Sequence, residues 1–432
     1  MSPLSFDSKS TRGYLLSMAE ALRQSVVPEV RGSALTRANE CISLLQRIAQ
    51  ELSPSDQTLL ALQSLQEAAP ERAAEIARRE AQVLVAADED FDRIGAMFLE
   101  AAPAPKSFDR DGFERYLQAH RLGGGATRVT AVRQLAGGRS KITTLVKQEG
   151  ASGLPEELVV RQDWAGGGVQ GTTVVSEFDL LQAVSAAGLL VPKPFLIESS
   201  DVLGAPFLLV ARLPGVQLGS YFHPPRSEGM VLDLAGQLAR MHQLPLEPFV
   251  AAGVKPGCRT VDEMRAALAG FRSAQHKIGV PSPSILLAID WLEQQCPKID
   301  TGLSALVHND IGAHNLLVDD DRLSGILDWE LAAIDHPALD LGYARDWIGQ
   351  VMPWQRFMER YREAGGPSFS SLELDFYTLW AAIRIYVLLI NARAAIAAGM
   401  IRDMEVVYTA ADAIPWLVRR INRLLNVVLQ SN

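Results

Sequence analysis

Residues 306–341 read LVHNDIGAHNLLVDDDRLSGILDWELAAIDHPALDL, and the fold turns on this stretch. An apolar run at 303–307 ends at His308-Asn309-Asp310, where a loop begins. Asn315 stands five residues beyond Asp310. A second apolar run, Ser324-Gly325-Ile326-Leu327, delivers Asp328-Trp329-Glu330 as if leaving a strand. A carboxylate, an amide and a second carboxylate at these spacings are the groups phosphoryl transfer requires. One meets the attacking hydroxyl, and two oxygen donors hold magnesium on nucleotide phosphates. Singly, each reads as a solvated loop residue; the three together, with strand-like runs between them, do not.

Phosphoryl transfer passes through a loose transition state, so a carboxylate at Asp310 matters more for position than for basicity. Asn315 is a neutral oxygen donor, and Asp328 suits a bridging magnesium ligand. Magnesium prefers hard oxygens and few protein ligands. The neighbours read differently. His308 is expected to be a structural hydrogen-bonding group, His314 to be bland, and His336 to serve the turn before Pro337. Asp340 is expected to cap or anchor backbone. Glu330 reads equally as a group behind the metal ligands or as a charge at a helix start.

The 432 residues, 48% hydrophobic and 21% charged, suit two or three globular domains with a sizeable core. A net charge of -9 argues against a nucleic-acid partner, whose binders carry a basic face. Cys41, Cys258 and Cys296 are far apart and odd in number. No disulfide framework or zinc site is expected, and a reducing cytoplasm fits. The start, MSPLSFDSKSTRGYLL, lacks a basic stretch followed by a long apolar run, so it does not read as a signal peptide. The most apolar segment, 379–401, is interrupted by Arg384, Asn391 and Arg393. It predicts a buried helix rather than a membrane span.

Residues 1–102 read as helical, with Leu35, Ala38, Ile42, Leu45, Ala49 and Leu52 at three- and four-residue steps. This segment carries no strand signal and no cluster of catalytic residue types. It offers a cover for the neighbouring lobe or a surface for a homodimer. The Ala/Pro-rich stretch at 101–106 is a linker by composition. Beyond it the pattern predicts a helix at 108–120 and strands at 128–135, 142–147 and 157–162. A helix at 174–187 and strands at 193–198 and 207–213 come next. From Pro214 on the pattern is mostly helical, apart from short strands around the quoted stretch. The expected class is α+β: an all-helical segment at 1–102, a small antiparallel-sheet lobe at 103–213, and a larger helical lobe at 214–432.

The combination HNDxxxxN, ILDWE and DHPxxDL resembles the aminoglycoside phosphotransferase and choline kinase superfamily, small-molecule relatives of protein kinases. The usual forms there are H-G-D-x-x-x-x-N, I-D-W-E and G-D-P-x-x-D. The resemblance covers residues 108–400. It implies a bilobal protein-kinase-like fold and phosphorylation of a small-molecule hydroxyl by ATP, or another nucleoside triphosphate, with Mg2+. It implies Asp310 as catalytic base and Asn315 and Asp328 as magnesium ligands. The chain departs from the pattern at Asn309, where the family has glycine. It departs again at Asp335-His336-Pro337, where one residue separates aspartate from proline.

The first lobe supplies the remaining parts that the resemblance implies. Gly137, Gly138 and Ser140 lie between strand-like runs, as a phosphate-covering hairpin would, although a plain Gly-Gly turn reads the same way. Kinases place a lysine on the third strand, paired with a helix glutamate. Here that strand carries Arg161, with Glu177 as the expected partner; Lys147 is an alternative cation one strand earlier. Arginine binds phosphate with a different geometry from an ammonium. Arg212 and Leu213 fall in the expected hinge, whose backbone would meet the base of the nucleotide. His242 reads as core packing.

Acceptor groups should come from the helical lobe. Residues 343–432 hold ten arginines and eight Asp/Glu, so 10 − 8 gives +2 against -9 for the whole chain. A polycationic aminoglycoside would call for clustered carboxylates, so a neutral, partly apolar hydroxyl compound is the better expectation. A hydroxy acid met by Arg345 or Arg384 is the other. Two further readings stand beside the small-molecule kinase. One is a catalytically silent nucleotide-binding or scaffold protein, suggested by Arg161 and Asn309. The other is a protein kinase, disfavoured because Asp328-Trp329-Glu330 stands where DFG would be.

Overall fold

The structure, a computed structural model, describes residues 108–135, 141–163, 173–219, 224–258, 260–275, 282–299, 302–397 and 404–430. The helices expected over 1–102, and Gly137, Gly138 and Ser140, lie outside the described residues. The chain forms two compact units. One comprises Pro105–Glu263 and Lys298–Thr378; the described part of the other comprises 264–297 and 379–430.

The first unit opens with α1 (Arg110–Ala119), capped by Asp109, whose carboxylate accepts from the Gly112 amide at 2.8 Å. Then come β1 (Arg128–Gln134), β2 (Lys141–Glu149), β3 (Glu157–Asp163), α2 (Val174–Ala186), β4 (Pro194–Glu198) and β5 (Phe207–Ala211). The five strands make one antiparallel sheet in the order β1-β2-β3-β5-β4. Strand β5 reads as a continuous apolar run because both its faces are covered. Phe207 and Leu209 pack with Phe113 and Leu117 of α1, while Leu208 and Val210 pack with Val174, Leu181 and Val184 of α2. Lys141 pairs with Asp163 and Thr143 with Arg161 across β2 and β3. Side chains alternate along a strand, so these four share the α2 face with Val159.

The chain continues through α3 (Glu228–Met241), α4 (Glu247–Ala251), α5 (Val261–Gln275) and α6 (Pro283–Gln295). Four short strands come after them: β6 (Ala305–Val307), β7 (Leu316–Asp319), β8 (Arg322–Ile326) and β9 (Ala333–Asp335). β6 pairs with β9 and β7 with β8, both antiparallel. Helices α7 (Ala338–Val351), α8 (Trp354–Glu363), α9 (Ser371–Ala397) and α10 (Met404–Gln430) complete the chain. The quoted stretch is therefore two hairpin-like pairings between helices. The segment after β5 joins them: Val216 and Val318 exchange backbone bonds of 2.9 Å in both directions. Leu306, Ile311, Leu316, Ile326 and Trp329 anchor the stretch in a core with Leu234 and Leu238 of α3 and Trp347 of α7.

In the second unit Arg272 of α5 reaches Asp290 (2.8 Å) and Glu293 (3.0 Å) of α6. Phe271 meets Trp380 edge-on at 5.4 Å. Among the described residues no helix is long and apolar enough to cross a membrane.

Candidate active site

Strand β6 ends at Val307, and the chain turns through His308-Asn309-Asp310. Asn309 has φ of 65°, in the left-handed region that glycine enters freely and asparagine enters more readily than most residues. Its Nδ2 donates to the Leu331 carbonyl at 3.1 Å, a bond glycine cannot make. The loop is held from beneath by Asp340, fully buried in the first turn of α7. Asp340 Oδ1 accepts from the Asn309 amide (2.7 Å) and Oδ2 from the His308 amide (2.9 Å). His242 Nε2 lies 3.2 Å from Oδ2, and His242 Nδ1 lies 2.7 Å from the Tyr361 hydroxyl. His242 is thus part of a buried polar chain as well as of the core.

His308 has a defined tautomer. Its Nδ1 accepts from the Asp310 amide (3.2 Å), so Nε2 carries the proton and donates to the Leu327 carbonyl at 2.9 Å. The ring also sits edge-on to Trp329 at 4.7 Å. The Leu327 amide donates to the Asn315 carbonyl at 2.8 Å. Leu327 therefore ties the Asp310 loop, Asn315 and the turn carrying Asp328 into one frame.

Within that frame Asn315 Nδ2 donates to the Asp310 carbonyl (3.0 Å) and to Asp310 Oδ2 (2.9 Å). The Tyr343 hydroxyl, from α7, donates to Asp310 Oδ1. His314 Nε2 lies 3.5 Å from Oδ2. Burial pushes the Asp310 carboxyl up, but the interactions with His314 and the Tyr343 hydrogen bond outweigh it. The net effect holds Asp310 well below the usual carboxylate range.

Asp328 adopts φ of 64°, a left-handed conformation that aspartate tolerates better than most residues. Its Oδ1 accepts from Arg161 Nη2 at 3.2 Å, while Arg161 Nη1 pairs with Glu177. Glu177 falls in the buried stripe of α2 with Val174, Leu180, Leu181 and Val184, and is 4% exposed. A carboxylate in such a stripe needs a cation, and the third-strand arginine supplies it. Burial pushes the Glu177 carboxyl up against the pull of Arg161. The carboxylates of Glu177, Asp328 and Glu330 outweigh the burial of Arg161 and hold its guanidinium charged. Lys141 completes the group. Its Nζ lies 3.3 Å from Asp163 and 3.9 Å from Glu330.

The donor set fits magnesium. Asn315 turns Nδ2 to Asp310, which leaves Oδ1 as the face of the amide directed away from that carboxylate. Together with Asp328 this is a pair of hard oxygens of the kind magnesium accepts alongside water and phosphate. Among the described residues no group of three His, Cys, Asp or Glu side chains is placed to hold a metal.

The structure thus gathers Arg161, Glu177 and Asp328 in one cluster and Asp310 with Asn315 in another, joined through Leu327. Arg212 lies apart: its guanidinium pairs with exposed Glu157 at 3.0 Å, and its amide donates to the Glu157 carbonyl at 3.3 Å. Leu213 lies over β8, where a Cβ on Gly325 would run into its Cδ1. Lys147, the alternative cation, instead binds Glu157 at 2.8 Å on the exposed end of β2. Sequence reading missed Lys141 and Tyr343. The register of β2 on β3 and the packing of α7 bring them in, and no local spacing shows either.

Residues 131–380, more than half of the chain, match the Phosphotransferase enzyme family. The chain belongs to that family. Acyl-CoA dehydrogenase family member 11 of Homo sapiens is 26% identical over 257 residues, 56% of this chain and 31% of that protein. Viomycin phosphotransferase of Streptomyces vinaceus is 27% identical over 199 residues, 40% of this chain and 64% of that protein. The chain therefore spans about a third of the length of the first of these relatives. A crystal structure from Ralstonia eutropha, provisionally assigned as an aminoglycoside phosphotransferase, superimposes with a TM-score of 0.57 at 19% identity. It covers 74% of this chain and 98% of that one. This family member thus has the bilobal α+β kinase-like fold of the phosphotransferases.

Proposed function

We propose that the chain transfers the γ-phosphate of a nucleoside triphosphate, ATP in the first instance, to a hydroxyl of a small molecule that is not a polycation. The observation that carries this reading is the framing of Asp310. Its carboxylate is gripped by Asn315 and Tyr343 and linked through Leu327 to the Arg161–Asp328 pair. Asp310 orients the acceptor hydroxyl and accepts its proton. A carboxylate kept ionised is a weak base, which suits a loose transition state in which position counts most. Arg161, held by Glu177, brings its positive charge to Asp328 and fixes that carboxylate in the cluster. Asn315 and Asp328 would hold Mg2+, which when bound neutralises phosphate charge.

The acceptor preference rests on charge. In the arginine-rich stretch after Asp340, Arg345 binds Asp375 at 2.7 Å and lies over Trp354 at 6.0 Å. That carboxylate is already neutralised, which disfavours a polycation. Arg345 is likewise occupied, which ranks a neutral or partly apolar hydroxyl compound above a hydroxy acid met by Arg345.

The test is consumption of magnesium-ATP and magnesium-GTP across a library of hydroxyl compounds, wild type against Asp310→Ala. Turnover should fall about 100-fold or more in the variant. Turnover that survives Asp310→Ala removes the assigned mechanism, and strong phosphorylation of aminoglycosides removes the acceptor class. Nucleotide binding without turnover on any acceptor would favour a silent binding protein of the same fold.

A further inference from the structure

We infer that Lys141, on the second strand, is the ammonium that binds the nucleotide phosphates, and that third-strand Arg161 mainly positions Asp328. The inference rests on the kinase reading above and adds a binding residue to it. Lys141 is the first residue of β2, directly after the glycine-bearing 136–140 segment, and is 2% exposed. A lysine is almost never so buried unless its charge is paired, and Asp163 supplies that pairing here. The register sets Lys141 beside Asp163 and Thr143 beside Arg161, so both cations project from one face of the sheet. Each meets one end of the same turn: Arg161 reaches Asp328, and Lys141 lies 3.9 Å from Glu330.

The two cations are held in different ways. Arg161 divides its guanidinium between Glu177 and Asp328, one Nη to each. Turning that fork to a phosphate would break a buried pair. The contact between Lys141 and Glu330 is longer than a hydrogen bond. At that distance Glu330 attracts the ammonium without a hydrogen bond between the two groups, and a phosphate oxygen competes with this contact rather than with the shorter one to Asp163. Asp163 fixes the root of the arrangement, since its carboxylate also accepts from the Val174 amide at 3.1 Å and so ties Lys141 to the start of α2. The cluster counts four carboxylates (Asp163, Glu177, Asp328, Glu330) against Lys141 and Arg161. A polyphosphate entering it needs a cation that can change partners, and an ammonium on a flexible stem does so more easily than a forked guanidinium.

Two measurements test this. The first is the binding of magnesium-ATP and of adenosine to wild type and Lys141→Gln. A phosphate ligand predicts a loss of about 10- to 100-fold for ATP with adenosine changed less than twofold. Equal losses for both ligands, or none for ATP, overturn the inference. The second needs no variant and so survives a Lys141→Gln chain that does not fold. An acyl-phosphate ester of ATP transfers its acyl group to a lysine amine beside the phosphates, and ATP leaves. Mass spectrometry of the wild type should find the acyl group on Lys141, with excess ATP preventing it. An ATP-protected label on another lysine overturns the inference, as does no lysine label in a chain that binds ATP. Wild type that binds no magnesium-nucleotide overturns the kinase reading itself, and the assignment of Lys141 falls with it.

Discussion

At Asn309 the backbone has φ of 65°, and two residue-level predictions start from this loop. Replacing a left-handed asparagine with glycine removes strain but also the bond to Leu331, so the two effects oppose. Asn309→Gly should change unfolding stability by less than about 1 kcal/mol in urea titrations, whereas Asn309→Val should cost about 2 kcal/mol or more. Similar costs for both would mean that the conformation is not what selects asparagine. The second prediction concerns Asp310, whose carboxyl is depressed. A depressed carboxyl stays ionised as pH falls through the ordinary range near 4, and loses its stabilising contacts only below it. Tyr343→Phe removes one donor, so the titration should move upward. Carboxyl 13C spectra, with Asp310→Asn for assignment, should show Asp310 ionised at about pH 4 in wild type and its protonation beginning at higher pH in Tyr343→Phe than in wild type. Identical titrations would detach Tyr343 from the base. Asp310, Asn315 and Asp328 were legible because one short stretch holds all three and their spacing is the message. Tyr343 was visible only as one aromatic among many, because its contact depends on how α7 packs.

The Arg161–Glu177 pair belongs to the scale of elements, since it joins β3 to α2 across the covered face of the sheet. Breaking a buried pair by removing one partner leaves a desolvated charge and costs about 3–5 kcal/mol, whereas replacing both with apolar groups is often neutral. Glu177→Met alone should therefore destabilise by about that amount in denaturant titrations. Glu177→Met with Arg161→Met should recover a substantial part of the loss, short of the whole because Asp328 also loses its partner. If the double variant is no more stable than the single one, the pair is not the coupling between strand and helix. The sheet strands and α2 were readable to within a few residues, because alternation and helical period run long enough there. β9, three residues long, has no pattern to read and is defined by its pairing with β6. The face of β2 that carries Lys141 was equally hidden. A strand alternates its side chains regardless, and only the pairing of Lys141 with Asp163 reveals which neighbour it meets.

Contiguity in sequence says little about which helices share a compact unit, because helix grouping depends on contacts between residues far apart in the chain. Asp310, Asn315, Asp328, Arg161, Glu177 and Lys141 nonetheless all fall within Pro105–Glu263 and Lys298–Thr378. That confinement gives a prediction for the whole molecule. A ligand that binds only the folded form stabilises it by an amount set by mass action, about 2.7 kcal/mol at a hundred times Kd. The gain acts on openings that disrupt the site and leaves local openings elsewhere unchanged. With magnesium-ATP at that excess, amide exchange should slow in β3, α2 and residues 308–328. Amides of α6 and α10, which the other unit contains, should exchange at their ligand-free rates where they open locally. Asp328→Asn should abolish the slowing, since it removes the carboxylate that faces Arg161 and the proposed ion. Slowing confined to α6 and α10, or slowing that persists in Asp328→Asn, would place the nucleotide somewhere other than the Asp310–Asp328 frame.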